Sequence, residues 1–170
     1  FTGMKRERIP EDRVGALIGE NGSTKKEIED LTDCELDIQD NLVTIEGEPL
    51  PELDAQKVVQ AVGRGFNPKK ALKIVEKDVT LHLIDITKYD ENKSRQKELK
   101  GRIIGRDGET RRHLEKEAHI DIAVYGKTIG IIGKAQNIEV ALEAMTMLLN
   151  GSSHSTAYSY LERNQAKIKH

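Results

Sequence analysis

This chain of 170 residues has little with which to hold a cofactor, cross a membrane or lock a small fold covalently. It carries one cysteine, Cys34, no tryptophan and two phenylalanines, and aromatic residues make up only 4% of it. A single cysteine excludes a disulfide framework and a cysteine-based zinc site, and a reducing, cytoplasmic setting fits. No apolar run approaches the roughly 18 residues of a membrane span, and no secretory signal is visible. Neither sign of charge dominates, since 27 Lys and Arg face 29 Asp and Glu, a net of −2. A uniformly basic, indiscriminate nucleic-acid binder is therefore excluded, and any such binding has to come from a local patch. The five histidines, His82, His113, His119, His154 and His170, lack companion cysteines or carboxylates at zinc-ligand spacing. There is no GxGxxG and no Walker pattern. No catalytic constellation, metal site or cofactor site is predicted, and an enzyme is not expected.

What the chain does have is a repeat. Residues 101–115, GRIIGRDGETRRHLE, run from Ile103 and Ile104 through Gly105-Arg106-Asp107-Gly108 into a helix-like stretch with paired arginines. Residues 15–29, GALIGENGSTKKEIE, carry the same pattern 86 positions earlier. Gly15, Ile18, Gly19, Gly22, Thr24 and Glu29 match Gly101, Ile104, Gly105, Gly108, Thr110 and Glu115. The register continues through Leu36 on Ile122, Ile38 on Val124, Val43 on Ile129, Ile45 on Ile131 and Gly47 on Gly133. Over 15–47 against 101–133, 8 of 33 positions are identical, so two copies of one module share the chain. Each copy is near the lower size limit for independent folding.

Each GxxG reads as a helix, a tight turn and a second helix. The glycines leave no Cβ where another backbone must come close. The following helix N-terminus offers unsatisfied N–H groups and positive dipole to an anion. Taken singly, such a turn reads more readily as an ordinary interhelical connection with solvated arginines; repeated, it points to a nucleic-acid phosphate.

Around the turns, alternation and punctuation predict a strand at 4–9 and helices over 11–17 and 23–31. Strands at 35–39 and 42–46 and a helix over 53–64 complete the first copy. Asn67-Pro68 opens a helical connector with Ala71, Leu72 and Val75 on its apolar side. The second copy opens on a strand from Val79 in which Val79, Leu81 and Leu83 form the half-buried face. A polar insertion loop, 90–94, a short helix ending near Ile104 and a helix over 109–118 come next. Strands at 120–124 and 128–132 precede a helix placing Ile138, Leu142, Met145 and Leu149 together, ended by Gly151. A last helix is expected over 154–168. The predicted domains are 1–66 and 79–150, with a connector at 67–78 and a C-terminal helix or tail at 151–170.

Two IGxxG turns, each inside a β-α-GxxG-α-β-β-α unit, resemble the type I KH domain, whose GxxG loop clamps the backbone of about four nucleotides of a single strand. The resemblance implies an α+β fold of two tandem type I KH domains (βααββα). Each would be a three-stranded sheet packed against three helices, with one further helix at the C-terminus. The stretches GRGFNPKKAL, KGRIIGRDGETRRHLE, VYGKTIGIIG and LLNGSSHSTAYSYLER are similar to the archaeal two-KH ribosome-assembly family whose eukaryotic member is called partner of Nob. The Krr group shares the core more distantly. This resemblance spans nearly the whole chain. It implies binding of single-stranded RNA near the 3′ end of small-subunit rRNA during subunit maturation. The implied protein partner is a PIN-domain endonuclease or another ribosome-assembly or translation factor, with no membrane and no small-molecule substrate.

The two copies are not expected to be equal. Residues 97–112 carry a net charge of +3, whereas the matching window 11–26 is neutral. Phosphate contacts dominate RNA affinity, so the second copy is expected to carry most of the binding. There Gly105 and Gly108 permit close approach of phosphates, and Arg106 at the tip, beside Asp107, is the direct contact. Arg102, Arg111 and Arg112 flank it; Arg111 and Arg112 diverge by about 100° on a helix, so one faces RNA and the other solvent or an acidic neighbour. Ile103, Ile104 and Ile122 are counted among the contact residues, and with Ile120 and Val124 they supply an apolar floor or the core beneath it. In the first copy Gly19, Asn21, Gly22, Lys25 and Lys26 are weaker candidates, because Glu20 stands where a basic residue is common. That copy is expected mainly to pack or to contact protein. The rival reading is a protein-interaction scaffold that touches RNA little.

Overall fold

The computed structural model describes residues 3–170. Its packing divides the chain into two compact units that part between Leu81 and His82. In the first, β1 (Gly3–Arg8), α1 (Val14–Ile18), α2 (Ser23–Thr32), β2 (Glu35–Gln39), β3 (Leu42–Gly47) and α3 (Pro49–Gly63) follow in order. β3 is central and antiparallel to both neighbours, giving the order β1-β3-β2. The register pairs Leu36 with Ile45 and Ile38 with Val43. Because side chains alternate, those four share one face while Glu35, Asp37, Thr44 and Glu46 take the other. The helices close the apolar face and bury Leu17, Ile28, Val58 and Val62 completely.

The second unit repeats this with β4 (Val79–Asp85), α5 (Lys93–Ile104), α6 (Glu109–Ala118), β5 (Asp121–Tyr125), β6 (Thr128–Lys134) and α7 (Ala135–Leu149). The sheet order is β4-β6-β5. Ile86, Ile103, Leu114, Ile131, Met145 and Leu148 lie in one core cluster, each contributing roughly 1.5–3 kcal/mol by its burial. The fold class is the one the resemblance implied: α+β, with two βααββα units.

The offset of 86 extends well past residue 47. The bounds of α2 and α6, of β2 and β5, and of α3 and α7 are all displaced by that number. The match runs on into the stretch that the sequence reading set apart as a connector. There α4 (Pro68–Ala71) and a 3-10 turn over Leu72–Val75 stand at the positions taken in the second unit by α8 (His154–Arg163). Asn67 caps α4 by accepting the Lys69 N–H, and Ser153 caps α8 by accepting the Thr156 N–H. Gly65 and Gly151 precede them with left-handed φ of 98° and 97°, where a side chain would be strained. Ala71 and Ala157 are both fully buried. Residues 68–75 are thus the first unit's counterpart of α8, and they pack on α2 and α3.

Departures from the expected elements have local causes. α5 is a 12-residue helix and not a short one, because Asn92, inside the stretch read as a loop, accepts the Arg95 N–H and starts it. α3 begins at Pro49 rather than 53, since the fixed φ of proline suits a first helical turn. In β4 the side chain turned inward is Ile84, with Ile86 following it, and Leu83 is exposed. The expected stripe of Val79, Leu81 and Leu83 therefore lies on the other face. α7 packs on both β6 and α8; it buries Ala141, Ala144 and Leu148 beside Ile138 and Met145, and Leu142 is left half-buried. α8 stops at Arg163, and a 3-10 turn over Gln165–Lys167 follows. Among the described residues no helix is long and apolar enough to cross a membrane.

Candidate nucleic-acid interface

The two GxxG loops have one geometry. Gly19 and Gly105 end the preceding helices at φ/ψ of 73°/177° and 74°/176°. Asn21 and Asp107 are left-handed at 55°/28° and 55°/26°, and Gly22 and Gly108 at 75°/13° and 76°/12°. Short polar residues tolerate that region best after glycine, which accounts for Asn and Asp at the third loop position. Thr24 and Thr110, identical in the repeat, form the wall of the turn. A Cβ on Gly19 or Gly105 would stand 2.2 or 2.1 Å from their hydroxyl oxygens.

Side chains differ where backbones agree. Arg106 is exposed at the second tip, and Glu20 is exposed at the first. Arg112 Nη1 donates to the Asp107 carbonyl at 2.7 Å, so this arginine braces the loop. Arg111 points the other way: its Nε is buried without a hydrogen-bond partner, 4.0 Å from Glu115 Oε1. Glu115 Oε2 in turn accepts the Ile122 N–H at 2.9 Å and ties α6 to β5. Lys100 Nζ donates to the Gly126 carbonyl at 2.9 Å, tying α5 to the β5–β6 turn. In the first unit Glu29 accepts the Leu36 N–H at 2.8 Å, and Lys25 and Lys26 pair with Glu29 and Asp30 at 3.5 and 3.9 Å. The exposed Lys26–Asp30 pair contributes about 0–1 kcal/mol, and the two pairs leave both lysines partly neutralised.

Three residues counted as RNA contacts have other work. Ile103 is fully buried in the core of the second unit, and Ile122 is buried at 3% exposure with its N–H already taken. Ile104, which leads into the loop, and Val124 in β5 are half-buried. Arg102 is engaged within the fold: its Nε donates to the Leu148 carbonyl at 2.8 Å and its Nη2 to the Ser152 carbonyl. The Leu148 carbonyl lies in the last turn of α7, where the last four C=O groups have no partner within the helix, and that of Ser152 lies just beyond its end. Arg13 does the same in the first unit, donating to the carbonyls of Val62 and Phe66 at 2.8 and 2.9 Å. The acceptors are 86 apart, whereas the donors are 89 apart, one helical turn out of register. That shift hides the clamp from sequence comparison. We expect Arg102→Ala to destabilise the second unit by about 1.5–3 kcal/mol, the value of charged hydrogen bonds. Denaturant unfolding measures this, and an unchanged unfolding midpoint would refute the clamp.

The flank between α2 and β2 in the first unit is strongly acidic. In a groove of about 900 Å³, Lys25 faces Glu29, Asp30, Asp33, Glu35, Asp37 and Glu46. At the matching positions the second unit has Arg111, Glu115, Lys116, His119, Asp121, Ala123 and Ile132, two fixed cations against two carboxylates. Burial pushes the Cys34 thiol in the first groove up from its ordinary value, which makes it unreactive. Among the described residues no group of three or more His, Cys, Asp or Glu is placed to hold a metal ion.

Comparison with known proteins agrees with this geometry. Residues 80–166 match a family model described as a eukaryotic-type KH domain, KH-domain type I, and residues 6–61 match the KH domain model. The chain belongs to the KH-domain family. It is similar to a KH domain-containing protein of Methanocaldococcus jannaschii, 44% identical over 168 residues, covering 95% of this chain and 74% of that protein. It is also similar to the pre-rRNA-processing protein pno1 of Emericella nidulans, 35% identical over 69 residues, 41% of this chain and 27% of that one. Among solved structures, a chain of the a/eIF2alpha-aDim2p-rRNA complex from Pyrococcus horikoshii matches with a TM-score of 0.91 and 36% identity. That match covers 99% of this chain and 97% of the other. The protein is a two-KH chain similar to a protein named for pre-rRNA processing and to a chain of a complex that contains rRNA.

Proposed function

We propose that the protein binds single-stranded RNA near the 3′ end of small-subunit rRNA during subunit maturation, mainly through its second KH domain. It acts as a binding protein and not an enzyme, and a PIN-domain endonuclease is the proposed partner. The observation that carries this reading is the contrast between two loops of equal backbone. One has Arg106 exposed at its tip and Arg112 bracing it; the other has Glu20 at its tip and an acidic flank. The relationship to pre-rRNA-processing proteins and to a chain in an rRNA complex supports rRNA as the target. For the first domain, the acidic flank and the exposed Leu31, Leu50 and Leu53 support a protein-contact role.

The test is binding of a labelled single strand copying the small-subunit rRNA 3′ terminus, with a scrambled strand as control, over a salt series. The native strand is expected to bind more tightly, and log affinity to fall with log salt by about 0.7 for each phosphate neutralised. Equal binding of both strands, or a flat salt response, would replace this reading with that of a protein scaffold.

A further inference from the structure

The second KH domain has a groove that neither the loop nor its basic flank accounts for. It is an open depression of about 520 Å³ between α5, the start of α6 and α8, with no residue of β5 or β6 in its walls. Those walls carry Glu98, Arg102, Arg106, Glu109, His154 and Tyr158. The aromatic wall is held in place. The Tyr158 ring stands 3.9 Å from that of His113, its hydroxyl is 3.4 Å from Thr110 Oγ1, and the His154 ring nitrogen is 3.1 Å from the Arg102 carbonyl oxygen. Gly101 keeps the α5 side open, since a Cβ there would meet nothing within 4 Å. Eighty-six residues earlier the first domain has Asp12, Ala16, Glu20, Ser23, Pro68 and Leu72 at the matching positions, with neither a ring nor a cation. The groove in this form belongs to the second copy alone.

We propose that this groove is a nucleobase site, taking one base of the RNA strand beyond those clamped across the GxxG loop. The proposal rests on the RNA-binding reading above and extends it to a residue class on α8. The volume lies in the ordinary range for small-ligand sites, about 300–1,000 Å³. The Tyr158 and His154 rings offer stacking surfaces, which bind bases with little regard to sequence. Glu98 is paired with Arg95 at 2.6 Å, so Glu109 is the carboxylate that repels phosphate and accepts N–H groups from a base edge. Carboxylates accept from exocyclic amino groups, as they do from cytosine N4, and an amino-bearing base is favoured over uracil. Gly105 and Arg106 border both the loop and the groove, so a strand held at the loop reaches the groove in one nucleotide step, with Arg106 beside the connecting phosphate.

The experiment uses the full chain and fluorescence anisotropy. Its probes are a tetranucleotide from the small-subunit rRNA 3′ terminus and the same strand lengthened by one adenosine or one uridine at either end. Adenosine at one end is expected to tighten binding about tenfold, within the range of one stacked base, and uridine several-fold less. In Tyr158→Leu, which installs the residue of the first domain, the gain should vanish while tetranucleotide binding stays unchanged. A 2-aminopurine at the added position should be quenched on binding to the unaltered chain, a readout that does not depend on how any variant folds. An equal gain in Tyr158→Leu, or an unquenched 2-aminopurine, overturns the base site. If the tetranucleotide binds but neither extension tightens it, this proposal falls alone. If no strand binds at all, the RNA reading falls and takes this proposal with it.

Discussion

Gly105→Ala is expected to unfold or loosen the second KH domain and to remove its RNA binding at the same time. The added Cβ would stand 2.1 Å from Thr110 Oγ1 and 2.8 Å from the Thr110 backbone nitrogen. The hydroxyl could rotate away, but the nitrogen belongs to the first turn of α6 and cannot move without the helix. The backbone angles of 74° and 176° add their own cost, since that region is essentially restricted to glycine and costs about 1–3 kcal/mol. Together the two effects predict a loss of about 3 kcal/mol or more, a drop of roughly 12–24 °C in Tm for a domain of this size. Gly101→Ala, one helical turn earlier, is the matched comparison. Its Cβ would meet no atom, and alanine is favoured over glycine inside a helix by about 0.5–1 kcal/mol. Thermal unfolding of the two variants should therefore shift in opposite directions. If both are neutral, the loop relaxes more easily than its close contact with Thr110 implies.

Arg106→Asp is expected to weaken binding of the rRNA 3′-terminal strand by roughly 10- to 150-fold, while Lys26→Glu in the first domain changes it less than about twofold. The estimate follows from losing one charge-assisted contact of about 1.5–3 kcal/mol, converted at 1.4 kcal/mol per tenfold. Arg106 is exposed at the loop tip, so its replacement should leave the unfolding midpoint unchanged and separate affinity from stability. Arg106→Ala should also lower the salt slope by about 0.7, the share of one phosphate. Lys26 already sits 3.9 Å from Asp30 in an acidic neighbourhood, and reversing its charge removes little that RNA could use. Equal losses from both substitutions would assign the strand to both domains, and no loss from either would leave the scaffold reading.

Some residues of the site were legible from the chain alone, and the reasons are physical. Glycines at fixed spacing declare a backbone requirement, and Gly19, Gly22, Gly105 and Gly108 all have positive φ. Other residues were visible but their roles were not. Glu29 and Glu115 stood out as identical, yet only their hydrogen bonds to the Leu36 and Ile122 amides explain why a carboxylate is needed there. Extending the same offset would have found Gly65 with Gly151 and Ala71 with Ala157, and with them the kinship of α4 and α8. Charge counting treats every arginine as free, and Arg102 is not. The carbonyls it serves belong to Leu148 and Ser152, some fifty residues away, and no local pattern announces them.

By itself the sequence determined the repeat, the two βααββα units, the position of both loops and the charge difference between them. Each of these depends on neighbours close along the chain or on one constant offset: period two in strands, 3.6 in helices, glycine where φ is positive. The tertiary structure alone decided which arginines are available to a ligand, which isoleucines are core, and that α8 brings His154 and Tyr158 beside the second loop. Those outcomes turn on burial and on the reach of side chains between distant segments, and a linear pattern carries neither.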